Sequence, residues 1–124
     1  MVKILIIEDE ELVAEIIKDF IKGEIDVTFH NARTAEEGLD LTKKNQYNLI
    51  IADYILPKMN GADFAKTVRN EGIAENTPIV FVTGSLESCR GSISNLRNVS
   101  FIEKPWKVKE LIQEVCSKVE RNIK

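Results

Sequence analysis

Several reactive side chains in this chain stand at the end of an apolar run. Glu8 and Asp9 follow Ile4-Leu5-Ile6-Ile7, and Asp53 follows Leu49-Ile50-Ile51-Ala52. Thr83 follows Ile79-Val80-Phe81-Val82, and Glu103-Lys104-Pro105 follows Val99-Ser100-Phe101-Ile102. If those ends converge, Glu8, Asp9 and Asp53 bring three negative charges and Lys104 one positive, an excess of two. Such a site is unstable unless a cation enters or a carboxylate keeps its proton. One divalent ion brings the sum to zero. The ligands would all be oxygen, which suits magnesium, or manganese, and disfavours zinc. A carboxylate in that setting can also take a phosphoryl group. On Asp53 its own charge would be replaced by about two on the phosphoryl oxygens. Lys104, the metal and the Thr83 hydroxyl could then each address one of those oxygens. Phosphoryl transfer is commonly helped in this way, by positioning and charge neutralisation.

Each residue taken singly has a plainer reading. Glu8 to Glu11 can be acids at a helix N-terminus, favoured by its dipole. Asp53 can be a turn residue, though a carboxylate ending so apolar a run needs partners. Thr83 is a common strand residue, Lys104 a solvated lysine, and Phe101 a core ring. His30 is a lone histidine without metal-ligand company, and Trp106 is assigned no chemistry. Only the joint pattern speaks for a site.

That pattern requires the run ends to share one edge. Apolar runs and amphipathic stretches alternate along the chain. Strands are expected over Val2 to Ile7, Asp26 to Phe29, Asn48 to Ala52, Pro78 to Val82 and Val99 to Ile102. Helices are expected over Glu11 to Lys22, Thr34 to Lys44, Ala62 to Asn70 and Lys107 to Arg121. Residues 86–96 form a weaker fifth candidate, because residues 85–95 are rich in serine. On the first helix, Leu12, Val13, Ile16, Ile17, Phe20 and Ile21 form one apolar face. A Thr34-x-x-Glu37 capping box opens the second. Strands alternating with helices imply a parallel sheet covered on both faces. The first, third and fourth runs are almost continuously apolar, as strands buried on both faces are. The second and fifth are mixed, as edge strands are. The expected architecture is therefore α/β, a flavodoxin-like doubly wound (βα)5 fold, with a five-stranded parallel sheet in the order 2-1-3-4-5. In such sheets ligands bind outside the carboxyl ends of the strands, where the reactive residues stand.

Composition narrows the classes. The chain has 124 residues, the size of one ordinary domain, so residues 1–124 are expected to form a single domain. Hydrophobic residues make up 44%, enough for a core without disulfide or metal staples. A net charge of -3 argues against direct nucleic-acid binding. No stretch is long and apolar enough to span a bilayer, and no signal peptide opens the chain. The two cysteines, Cys89 and Cys116, have no metal-ligand spacing and fit a reduced, cytoplasmic setting.

The motifs Ile7-Glu8-Asp9-Glu10, Asp53 through Gly61, Val82-Thr83-Gly84 and Glu103-Lys104-Pro105 together resemble the receiver domains of two-component response regulators. The resemblance covers the whole chain. It implies that Asp53 accepts a phosphoryl group from a histidine kinase or histidine phosphotransfer protein and signals to a downstream protein the sequence does not identify. It implies that Glu8, Asp9, Asp53 and the main-chain carbonyl of Ile55 hold magnesium. It implies that Lys104 pairs with Asp53 and then with the phosphoryl group. Thr83 and Phe101 would be the switch pair. The chain departs from the commonest receiver pattern at Glu8, Leu56, Gly84, Trp106 and across residues 85–95. Two alternatives stand beside this reading. A degenerate receiver would act as an unphosphorylated binding module, but would be expected to lack Asp53, Lys104 or another acidic residue. An aspartyl-phosphate phosphatase would usually carry a second aspartate two residues after the nucleophile, where this chain has Ile55.

Overall fold

The structure, a computed structural model, describes residues 2–56, 59–84, 96–103 and 107–123. Five strands form one parallel sheet: β1 (Val2–Ile7), β2 (Val27–Ala32), β3 (Leu49–Asp53), β4 (Ile79–Thr83) and β5 (Val99–Glu103). Their order is β2-β1-β3-β4-β5, the order expected from the contrast between apolar and mixed runs. Four helices lie among the described residues: α1 (Glu11–Lys22), α2 (Ala35–Lys44), α3 (Gly61–Asn70) and α4 (Val108–Ile123). The helix expected over 86–96 falls almost entirely outside the described residues.

The sheet carries a core on each face. Leu5, Ile7, Ile50, Ala52, Ile79 and Phe81 pack toward Phe64, Ala65 and Val68 of α3. Ile4, Ile6, Ile51, Val80, Val82 and Ile102 pack toward α1 and toward Leu111, Val115 and Val119 of α4. Alternate residues of one strand thus serve opposite cores, and β1, β3 and β4 are apolar at nearly every position for that reason.

Several boundaries differ from the sequence reading by one or more residues. β2 runs to Ala32, because His30 and Asn31, polar as they are, keep the ladder with β1 through Leu5 and Ile6. The Asn31 amide donates to the carbonyls of Ile6 and Ala32 at 3.2 and 3.1 Å, which holds that end of the edge strand. β3 and β4 are each shifted one residue onward, to end at Asp53 and Thr83, and β5 runs one residue further, to Glu103. The larger difference is on α1. Ala14, Ile17 and Ile21 face the core, whereas Leu12, Ile16 and Phe20 are 73%, 41% and 39% exposed. Six apolar residues in that helix cover more than one core-facing stripe can bury.

The helix starts follow local chemistry. Thr34 caps α2 by accepting from the Glu37 N–H at 3.1 Å. The Glu37 carboxylate accepts from the Arg33 N–H at 3.3 Å, one residue beyond the Thr34 N–H that a full capping box would use. Asn60 caps α3 by accepting from Asp63 N–H at 2.9 Å. Arg69, near the end of α3, turns its guanidinium onto the carbonyls of Ala74, Thr77, Arg97 and Asn98. One side chain therefore ties the loop before β4 to the turn before β5. Burial, and then the nearby Arg97, pull its pKa below the ordinary arginine value.

Gly61 sets how closely α3 approaches the sheet. Its N–H donates to the Tyr54 carbonyl at 2.7 Å. A Cβ there would lie 2.6 Å from Phe81 Cε1 and 2.9 Å from Tyr54 Cδ1. Both atoms belong to rings of the buried core, which have little room to retreat. Overpacking of that kind costs about 1–3 kcal/mol, against at most about 1 kcal/mol gained from helix propensity. Gly61→Ala is expected to lower the urea midpoint with an unchanged slope, measured by far-UV circular dichroism. An unchanged or raised midpoint would show that the helix start yields without cost.

Candidate functional site

Parallel pairing brings the strand ends level. Ile7 pairs with Ala52, Ala52 with Phe81, and Phe81 with Phe101. Glu8 and Asp53 come next along their strands, and Asp53 pairs with Val82, so Thr83 follows immediately on β4. Glu8 remains tied to the sheet through its N–H, which donates to the Ala32 carbonyl at 2.9 Å.

The three acids expected to meet do meet. One carboxylate oxygen from each of Glu8, Asp9 and Asp53 lies within 4.8 Å of the others. Glu8 is only 4% exposed, while Asp9 and Asp53 are partly exposed. The Glu8 carboxylate accepts from the Glu10 N–H at 3.1 Å. Asp53 Oδ1 accepts from the Ile55 N–H at 3.1 Å. Two unit charges at such a separation repel by about 3.5 kcal/mol at an effective permittivity of about 20. The donors are all carboxylate oxygens, one of them buried, and that is the ligand chemistry a small hard cation takes. The residues present therefore fit magnesium or manganese.

Thr83, the last residue of β4, is 2% exposed. It shares a sheet face with Phe81, two residues earlier. Phe101 is half-buried and packs against the core on the α3 side. Its ring centroid lies 6.0 Å from that of Phe81, tilted by 31°. Phe81 in turn meets Tyr54 edge-on at 5.6 Å. Three rings thus run beneath the site from the end of β3 to β5. Ile55 is 71% exposed beside Asp53, so its side chain does not turn down onto α3. Lys104 lies outside the described residues, as do Pro105 and Trp106.

Two residues that the sequence reading passed over stand at this edge. Tyr54 supplies the first ring of the aromatic run, and its N–H donates to the Val82 carbonyl at 3.1 Å. An aromatic residue next to a strand-ending carboxylate was the available signal. Arg33, just past β2, donates to the main-chain carbonyl of Asp9 at 3.4 Å. Its only signal was its place after an edge strand. His30 proves structural: its Nδ1 and the Tyr47 hydroxyl lie 2.7 Å apart in a hydrogen bond. Burial raises the Tyr47 pKa, an effect partly offset by the Asn45 side chain.

The family model for the response regulator receiver domain matches residues 4–116. The cell cycle transcriptional regulator CtrA of Caulobacter vibrioides is 39% identical over 85 residues, covering 68% of this chain and 36% of that protein. The response regulator ArlR of Staphylococcus haemolyticus is 30% identical over 128 residues, covering 98% of this chain and 54% of that protein. The chain thus spans about a third to a half of the length of these relatives. The Francisella response regulator 1452 receiver domain superposes with a TM-score of 0.83 at 26% identity, over 98% of each chain.

The crowding of carboxylates is expected to carry a measurable cost in the absence of divalent ions. Asp53→Asn removes one of the three charges and keeps an oxygen to accept the Ile55 N–H. In a chelator-containing buffer this variant is expected to be more stable than wild type by about 1 kcal/mol or more, after allowance for solvent screening. Thermal and urea unfolding of the two proteins check this. A variant of equal or lower stability would show that the three carboxylates do not strain the edge.

Proposed function

The chain belongs to the response regulator receiver family, and on that premise we propose that it is a phosphorylation-dependent switch with Asp53 as its phosphoacceptor. The observation that carries this reading is the meeting of Glu8, Asp9 and Asp53 within 4.8 Å at the end of the sheet, with Thr83 closing the adjacent strand. Receiver domains are signalling modules phosphorylated by histidine kinases. The donor is accordingly a sensor histidine kinase or a histidine phosphotransfer protein in the cytoplasm, and the downstream partner is a protein. Among the described residues no helix is long and apolar enough to cross a membrane.

In the transfer, an Asp53 carboxylate oxygen attacks the phosphorus of the donor's phosphohistidine. The new O–P bond forms as the P–N bond breaks, and the electron pair returns to the imidazole nitrogen. The Ile55 N–H donates to Asp53 Oδ1 and so helps to orient the attacking carboxylate. Glu8, Asp9, Asp53 and the Ile55 carbonyl would hold magnesium, or manganese in its place. A bound ion supplies positive charge against the phosphoryl oxygens. By its resemblance to the family's lysine, Lys104 would supply a second positive charge to the phosphoryl group. The Thr83 hydroxyl donates to a phosphoryl oxygen, and Phe101 moves further inward over Phe81 as Thr83 turns. The two packings must differ in contact energy for the phosphoryl group to shift their populations. The half-buried Phe101 ring against Phe81 supports an inward state already present without phosphate, since phenylalanine has no hydroxyl to bond outside.

Incubation with acetyl phosphate and magnesium, followed by intact-mass spectrometry, tests the reading. One phosphoryl adduct is expected on wild type and none on Asp53→Asn or Asp9→Ala. Normal labelling of Asp9→Ala would contradict the metal assignment, and repeated turnover of small phosphate esters would favour a phosphatase.

The lifetime of the adduct follows from Ile55. Water must approach phosphorus opposite the Asp53 oxygen, and Ile55 stands exposed beside that carboxylate. Ile55 offers the water no hydrogen bond, and each 1.4 kcal/mol of missing transition-state help slows hydrolysis about tenfold. Ile55→Asn is expected to release phosphate several-fold faster, measured on the purified phosphorylated protein with magnesium. Equal rates would show that Ile55 does not shield the site.

A further inference from the structure

Arg33 is a cation that the proposed transfer does not use. It stands exposed in the turn from β2 to α2, and that turn is bound to the acid loop at two points. The Ala32 carbonyl accepts from the Glu8 N–H at 2.9 Å, and the Arg33 guanidinium donates to the Asp9 carbonyl at 3.4 Å. The Arg33 main chain is held in turn, because its N–H donates to the Glu37 carboxylate at 3.3 Å. Arg33 lines one pocket together with Glu8, Glu11, Glu15 and Glu37. Lys18, the other cation there, is engaged by Glu15 at 3.2 Å. Among the described residues Arg33 makes no ion pair of its own, so its charge acts on the acids as a group.

Within one aspartate the carbonyl and carboxylate oxygens lie at most about 5 Å apart by covalent geometry. The guanidinium therefore stands within about 9 Å of an Asp9 carboxylate oxygen, inside the Debye length of about 10 Å at 0.1 M salt. Two effects on metal binding oppose each other. The bond to the Asp9 carbonyl steadies a metal ligand and favours binding. The positive charge repels an arriving cation, and it offsets the mutual repulsion of the acids when no metal is bound. The bond is long and made by an exposed side chain, and the loop keeps other anchors without it. Glu8 stays tied to Ala32, the Glu10 N–H still donates to the Glu8 carboxylate at 3.1 Å, and the Glu10 carbonyl accepts from Ala14 at 3.1 Å. The charge acts on a divalent ion with twice the energy it exerts on a single charge, so the charge decides the sign. We propose that Arg33 is a resident counter-charge, which weakens the site's hold on divalent cations and stabilises its metal-free state. This rests on Glu8, Asp9 and Asp53 being the metal site.

The test is calorimetric titration of the full chain with magnesium chloride, wild type beside Arg33→Gln and Arg33→Lys. Glutamine keeps an amide donor and loses the charge, whereas lysine keeps the charge. At about 0.01 M ionic strength Arg33→Gln is expected to bind magnesium about fivefold more tightly. Near 0.5 M, where screening is strong, the difference is expected to fall below about twofold. Arg33→Lys is expected to match wild type. Lys44→Gln removes a charge at the opposite end of α2 and is expected to change the affinity by less than about twofold. Urea unfolding gives a second readout. In chelator Arg33→Gln is expected to be less stable than wild type, and to gain more from added magnesium than wild type does. Loss of a merely structural bond would lower stability without tightening metal binding. Equal or weaker magnesium binding by Arg33→Gln at low salt overturns the proposal, and so does a similar gain in Lys44→Gln. A wild type that binds neither magnesium nor manganese in the millimolar range overturns the metal site itself.

Discussion

Carboxylate oxygens of Glu8, Asp9 and Asp53 lie within 4.8 Å of one another, and like charges held that close oppose each other unless a cation or a proton intervenes. The fold holds them there regardless. Glu8 and Asp53 directly follow or end strands whose other residues are packed into two cores, and the β1–β3 ladder just before them brings their backbones level. A small domain has only several kcal/mol of net stability, and an arrangement that costs part of it persists because the two cores are well filled. The scaffold thus brings the three carboxylates together, and such a cluster favours a cation or a proton that reduces its negative charge.

That preference connects to the aromatic run below. Tyr54, Phe81 and Phe101 stand in edge and tilted contacts from β3 across β4 to β5, and Gly61 lets α3 close against the first two. Thr83 lies two residues beyond Phe81 on the same strand. A hydroxyl drawn toward Asp53 would change the space beside Phe81, and so the position available to Phe101. The contacts needed to carry a charge event at the carboxyl edge to the surface near β5 are thus short and contiguous. Arg69 anchors the opposite ends of β4 and β5 through four carbonyls, which fixes the strands whose upper ends have to respond.

The carboxylate site was readable in the sequence because each acid follows a run too apolar to end in water. The strand order was readable because Val27-Thr28-Phe29-His30 and Val99-Ser100-Phe101-Ile102 mix polar with apolar residues where the other three runs do not. Other features had no such signal. The outward row of α1 has the same residue types as its inward row, and periodicity alone cannot say which side meets the sheet. His30 and Asn31 look like the start of a turn, and only pairing with β1 keeps them in the strand. The partners of Arg69 come from two loop segments whose approach is a product of the fold. Lys104 was named from its place after the fifth run and lies outside the described residues.

The central claim is that charge at Asp53 is coupled to Thr83 and Phe101. Methyl and aromatic NMR spectra of the protein, recorded before and after addition of beryllium, fluoride and magnesium as a phosphoryl mimic, test it most directly. The account predicts that the Thr83 methyl and Phe101 ring resonances move together in wild type and stay in place in Asp53→Asn. Shifts confined to the residues around Asp53, with Thr83 and Phe101 unmoved, would contradict it.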